Sequence, residues 1–320
     1  MGPSLYILKH EFQDIGKHSG FKFVSKIKAW FWAIRPFSIS AAVVPVLIGS
    51  AFAFSGGKFS LFRFLLVLIA GILVQMATNL IDEYSDHARP EGEKKIIAPY
   101  KVIALGKLTA KEVKLGAFVC FGIATAIGIF LIYLCGLPIL FMCLGAAAAA
   151  YFYSAGPLPL GKIGLGQPLV FVFMGLVMVA GSYYVQTGFF TPDIFWLALP
   201  VGCTVTAILA ANNIRDMEED RAVQKRTIVT VFGRRVAWWE YLLLLAGAFL
   251  TVIVLVIARQ ISPLALISLA ALPQAVLALH ILRKGRNRPE LARGVPASAK
   301  LHWYFGALLA VGVALERFIK

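Results

Sequence analysis

Nine apolar runs, each close to twenty residues long, limit what this chain can fold into more than any single motif does. They lie near 37–55, 61–81, 115–134, 137–155, 168–187, 193–211, 238–258, 262–282 and 301–317. Each approaches the ~20 residues that a helix needs to cross a bilayer. The apolar share of the 320 residues is 59% and the mean hydropathy is +0.80, well above what an ordinary soluble domain carries. None of the runs alternates with the period of two expected of barrel strands. With no water in the bilayer core, the backbone must then close its hydrogen bonds within helices. The expected fold class is all-α: an integral membrane protein of nine transmembrane helices.

The net charge of +15 raises the question of nucleic acid, and its distribution answers it. Of 31 Lys and Arg, 26 fall in residues 1–36, 81–114, 155–166, 212–236 and 283–301. Only Lys58, Arg63, Arg259, Arg317 and Lys320 fall outside those stretches. Alternate connections therefore differ in charge, as the positive-inside rule requires of a multi-pass membrane protein. The N-terminus and the basic loops are expected in the cytoplasm, and an odd number of spans leaves the C-terminus outside. Residues 1–36 read as a cytoplasmic amphipathic lead-in, because Phe21, Phe23, Val24, Ile27, Trp30 and Phe31 interleave helically with Lys22, Lys26 and Lys28. The membrane domain is expected over 37–320. Cys120, Cys135, Cys143 and Cys203 form no C-x-x-C pair and read as small core residues.

Two segments at the ends of inward-running spans share one pattern, N-x-x-D-x-x-x-D. They are Asn79-Leu-Ile-Asp82-Glu83-Tyr-Ser-Asp86 and Asn213-Ile-Arg-Asp216-Met-Glu-Glu-Asp220, offset by 134 residues. On a helix, positions i, i+3 and i+7 share a face, so each copy presents an amide and two carboxylates together. Nine of the sixteen acids sit in the two neighbourhoods: Asp82, Glu83, Asp86, Glu91 and Glu93, then Asp216, Glu218, Glu219 and Asp220. Clustered carboxylates repel unless a cation intervenes, and hard oxygen donors favour Mg²⁺ completed by water and substrate phosphate. Lys94, Lys95 and Lys101 follow the first copy; Arg215, Arg221, Lys225 and Arg226 surround the second. Such cations suit a diphosphate leaving group, with Lys101, Arg215, Lys225 and Arg226 the leading candidates. They also suit anionic lipid headgroups, the preferred reading for Lys107, Lys111, Arg234 and Arg235. Between expected spans four and five, Tyr151-Phe-Tyr153-Ser-Ala-Gly-Pro-Leu-Pro-Leu-Gly forces a turn that leaves Tyr153 near the membrane surface, where its ring can face a cation. Arg35-Pro36 stands just before span one, where an arginine meets an acidic substrate or marks the border.

Taken together, the two acidic segments, the Tyr153-Ser-Ala-Gly-Pro-Leu-Pro-Leu-Gly turn with Gly164-Leu-Gly166, and Lys225-Arg226-Thr227 resemble the UbiA superfamily of intramembrane aromatic prenyltransferases. Within it the chain is most similar to the 1,4-dihydroxy-2-naphthoate polyprenyltransferases of menaquinone synthesis. The resemblance implies a nine-helix bundle whose central cavity opens to lipid and is capped by cytoplasmic loops. It also implies Mg²⁺ held by Asp82, Glu83, Asp86, Asp216 and Asp220, with Asp86 and Asp216 essential to catalysis. Lys101, Arg215, Lys225 and Arg226 become diphosphate contacts, Tyr153 the stabiliser of an allylic cation, and Arg35 a neighbour of the acceptor. Asn79 and Asn213 become supporting polar groups one turn deeper. The implied partners are a polyprenyl diphosphate, an aromatic acceptor and membrane lipid, with no nucleic acid; oligomeric state stays open. Here Asp82-Glu83 stands where the family usually has Asn-Asp, and Gln167 where it often has Glu. Other acceptors (4-hydroxybenzoate, homogentisate, haem, a glycerophosphate lipid) remain alternatives within the class. A cation-coupled transporter is the alternative outside it, although transport favours acids at the membrane midplane rather than at span ends.

Overall fold

A computed structural model describes residues 19–88, 98–154 and 160–319. Glu91, Glu93, Lys94 and Lys95, named above, lie outside the described residues. The described chain is helical, and its one extended pairing is an isolated bridge between Ile163 and Arg226. In chain order the helices are α1 (Ser19–Ala33), α2 (Ser40–Ser55), α3 (Leu61–Ala88), α4 (Ala110–Cys135), α5 (Leu137–Ser154), α6 (Gly166–Thr187) and α7 (Pro192–Arg215). They continue as α8 (Met217–Ala222), α9 (Ile228–Phe232), α10 (Arg234–Ile257), α11 (Pro263–Lys284), α12 (Arg288–Leu291) and α13 (Gly294–Ala314).

Each of the nine expected spans falls on an apolar helix. Among the described residues seven helices are long and apolar enough to cross a membrane, or up to eight if Ser25–Ser38 and Ser40–Ser55 count as one broken span. Leu137–Tyr153 is apolar but shorter. The protein is therefore an all-helical, multi-pass membrane protein.

Two units divide the chain, one formed by Met1–Pro36 with Met76–Cys120 and the other by Phe37–Gln75 with Phe121–Lys320. In the first, Ala29, Ala33, Leu80, Val102, Ile103, Leu108, Val113 and Ala117 make the core, and Trp30 and Trp32 pack against it. Small residues there permit close approach: a methyl added at Gly116 would come within 2.7 Å of the Trp30 ring.

In the second unit α7 is the most buried span, with 67% of its apolar window inside the protein. It packs against α10, α13 and the middle of α6. That middle, Phe171–Val177, widens into a π-helix, which re-aims the side chains that follow it. Membrane helices associate through close backbone packing because lipid removes the hydrophobic drive between them. Gly175 of α6 meets Gly202 of α7 so closely that a β-carbon on Gly175 would lie 2.4 Å from the Gly202 Cα. All four cysteines are free; Cys143 on α5 is exposed rather than a core residue, and the other three are half-buried.

Candidate active site

In the first unit α3 carries Asn79, Asp82, Glu83 and Asp86 on one continuous helix, as the spacing requires. Asn79 is buried and donates to the Ile34 carbonyl at 2.7 Å, fastening α3 to the turn after α1. The next residue, Arg35, has a φ of +51°, a left-handed conformation that costs a non-glycine residue roughly 1–2 kcal/mol. Strain of this kind collects at functional positions. The conformation delivers its guanidinium to Asp82, with Nη2 to Oδ2 at 2.6 Å, and seats it 4.7 Å above the Tyr100 ring.

Lys101 meets two carboxylates at once. Its Nζ lies 3.2 Å from Glu83 Oε2 and in contact with Asp86 Oδ2, and all three residues are buried. Glu83 Oε1 also accepts from the Ile103 amide at 3.1 Å. Buried charges persist only when paired in this way. In the same unit Ile27, Trp30, Ile34, Met76, Leu80 and Leu115 help line an apolar cleft of about 600 Å³.

The second acidic segment, in the other unit, departs from the helix that its spacing implies. α7 stops at Arg215 and α8 starts at Met217, with Asp216 as the joint at φ −96°, ψ 16°. Side chains at i and i+1 of a regular helix do not face each other, and the break lets these two meet. Arg215 Nε donates to Asp216 Oδ1 at 2.7 Å and Nη2 to Oδ2 at 2.6 Å, a bidentate fork. The helical bonding resumes across the joint, since the Asp220 amide donates to the Asp216 carbonyl at 2.8 Å. Lys225 Nζ reaches Asp220 Oδ2 at 2.9 Å.

Arg288, from the start of α12, joins this group without any sequence signal to announce it. Its Nη2 donates to Asp216 Oδ1 at 3.0 Å and its Nε lies 2.8 Å from Glu219 Oε1. Burial pushes the Glu219 carboxyl above the ordinary carboxylate range, and Arg288 opposes that shift. Tyr100 was equally silent in the sequence; only its place before Lys101 connects it to the first cluster.

A narrow cleft in the second unit brings together Tyr153, Gln167, Asn213, Lys225, Arg226 and Thr227. Gly161 and Gly166 let the Tyr153 ring lie against the loop: a β-carbon on Gly161 would come 2.8 Å from the Tyr153 carbonyl oxygen and one on Gly166 3.3 Å from the ring. The Arg226 amide donates to the Lys162 carbonyl at 2.7 Å, which ties the glycine-rich loop to the chain after α8. Thr227 then caps α9 through reciprocal bonds with Thr230.

Among the described residues no three His, Cys, Asp or Glu side chains already form a metal cage. The donor chemistry nevertheless fits a hard cation. In the first cluster Asp82, Glu83 and Asp86 gather oxygen donors around Arg35 and Lys101, and the buried Glu83 Oε2 has the Lys101 ammonium 3.2 Å away.

Comparison with known proteins decides the family. The UbiA prenyltransferase family model matches residues 42–305. The chain belongs to the UbiA prenyltransferase family. It is 28% identical over 284 residues to the 1,4-dihydroxy-2-naphthoate octaprenyltransferase of Bacillus subtilis, covering 89% of this chain and 91% of that one. To the enzyme of the same name from Haemophilus influenzae it is 30% identical, covering 90% and 97%. Among solved structures, a UbiA homologue from Aeropyrum pernix matches at a TM-score of 0.62 and 18% identity, covering 85% and 97%. One from Archaeoglobus fulgidus, solved bound to GPP and Mg²⁺, matches at 0.59 and 15%, covering 88% and 99%. At those identities the solved structures establish the fold. As a member of this family, with octaprenyltransferases among its relatives, the UbiA chain is a prenyltransferase.

Proposed function

We propose that this UbiA enzyme transfers a polyprenyl group from polyprenyl diphosphate to 1,4-dihydroxy-2-naphthoate, releasing diphosphate and CO₂. The observation that carries the choice of acceptor is the similarity to naphthoate octaprenyltransferases over nine-tenths of the chain. Asp82, Glu83 and Asp86 in the first unit, and Asp216 and Asp220 in the second, would hold Mg²⁺ ions. When bound, the ion supplies neutralisation of the diphosphate charge, which eases departure of that group.

The remaining work belongs to side chains of this chain. Lys101, Arg215, Lys225 and Arg226 hold the leaving group through its phosphate oxygens. Tyr153 turns the face of its ring towards the positive charge that develops on the allylic carbon as the C–O bond breaks. Arg35, over the Tyr100 ring, recognises the acceptor carboxylate through the guanidinium that now meets Asp82. Asn79 and Asn213 fix the helix turns beneath. The apolar cleft of the first unit offers hydrocarbon a wall that excludes water. The ring carbon bearing the carboxylate forms the new C–C bond, and loss of that carboxylate as CO₂ returns an electron pair to the ring. Nine spans, a cytoplasmic N-terminus and an outer C-terminus complete the reading.

Purified protein, Mg²⁺ and labelled polyprenyl diphosphate should be offered a panel of dihydroxynaphthoate, hydroxybenzoate, homogentisate, haem and glycerophosphate acceptors. Label should enter lipid product with dihydroxynaphthoate, with one CO₂ per product. Product from another acceptor alone, or alkylation that retains the carboxylate, would refute the assignment.

A further inference from the structure

In the second unit Asp216, Glu219 and Asp220 meet Arg215, Arg288 and Lys225, three charges for three. A divalent cation that enters such a cluster competes with the positive groups already on its carboxylates. Arg215 is the chain neighbour of Asp216, and the Lys225 backbone is pinned because its amide donates to the Asp220 carbonyl at 2.8 Å. Neither can move far without taking the acidic segment with it.

Arg288 differs in kind. It arrives from a separate segment with its own scaffold: Asn287 Oδ1 accepts from the Glu290 amide at 3.0 Å, Asn287 Nδ2 donates to Glu290 Oε1 at 2.8 Å, and the Arg286 amide donates to Glu290 Oε2 at 2.8 Å. Arg234 anchors the preceding turn by donating to the Leu282 carbonyl at 2.8 Å. None of these bonds involves the Arg288 guanidinium, so it can leave Asp216 and Glu219 without breaking them, and what the segment then loses is its tie to the acidic chain. Its side chain is 21% exposed, against 7% for Asp216, which gives it a direction in which to leave.

We propose that Arg288 is the exchangeable counter-ion of the second acidic segment, a positioning residue that occupies the carboxylates of Asp216 and Glu219 until a divalent cation displaces it. This rests on the reading of Asp216 as a metal ligand. Arg288 then sets the metal affinity of that half of the site, and the 286–292 segment loosens when metal arrives. Removing a structural ion pair would be expected to weaken binding at the site it supports; removing a competitor strengthens it.

The test is Mn²⁺ binding to the purified full chain in detergent, followed by electron paramagnetic resonance, for the wild type, Arg288→Gln, Arg288→Lys and Asp216→Asn. Arg288→Gln should bind Mn²⁺ about tenfold more tightly, within the usual range of coupling between two linked sites. Arg288→Lys keeps the charge but cannot fork across two carboxylates, so it should fall between the two, and it carries the test alone if the glutamine variant fails to fold. Metal should also speed amide exchange over 286–292 in the wild type. Equal or weaker binding in the Arg288 variants, or unchanged exchange, would overturn the proposal. If Asp216→Asn binds Mn²⁺ as the wild type does, the metal-ligand reading itself is what fails.

Discussion

A lysine that is 5% exposed and meets two buried carboxylates has given up most of its hydration, and only those partners make its burial tolerable. Lys101→Met should therefore take from Glu83 and Asp86 the cation they share and cost about 3 kcal/mol, read as a fall in thermal unfolding temperature of the detergent-purified protein. Adding Glu83→Gln and Asp86→Asn should recover most of that loss, since a neutral triad no longer needs that cation. A Lys101→Met protein as stable as the wild type would remove the triad from the account. The acids of both segments and Lys101 were legible in the sequence because clustered like charges beside apolar runs demand a cation. Arg288 and Tyr100 were not: each acts through a contact made by folding, and nothing in the spacing around them marks it.

At the scale of elements, the apolar runs located the helices because length and hydrophobicity alone decide where a chain crosses a bilayer. The helices at 40–55, 137–154 and 192–215 end within a few residues of where the runs end. What composition could not reveal is how a helix deviates from regularity. The π-helix at Phe171–Val177 and the break at Asp216 lie where segments distant in sequence meet, Gly175 against Gly202 and Asp216 against Arg288. The glycine contact of α6 with α7 is of that kind. Gly175→Val should force the helices apart and cost about 1–3 kcal/mol, visible as a lowered unfolding temperature. Gly122→Ala on α4, where an added methyl meets no protein atom within 4 Å, should be neutral or slightly stabilising. Equal effects at both positions would contradict the close-packing explanation.

For the whole molecule, two acidic segments repeated 134 residues apart each meet cations, Asp82 and Asp86 with Arg35 and Lys101, Asp216 and Asp220 with Arg215 and Lys225, and on the proposed function it is those carboxylates that take up metal. Carboxylates serving only to fasten loops could be replaced by amides at small cost to function. Carboxylates that hold a metal and diphosphate cannot. The most direct measurement is steady-state prenyl transfer by folded wild-type, Asp86→Asn and Asp216→Asn protein across a Mg²⁺ titration, with EDTA as the zero point. Wild-type transfer should vanish in EDTA and return with Mg²⁺, and each substitution should lower kcat by about a hundredfold or more. Transfer that persists in both variants, or that proceeds without a divalent cation, would contradict the account.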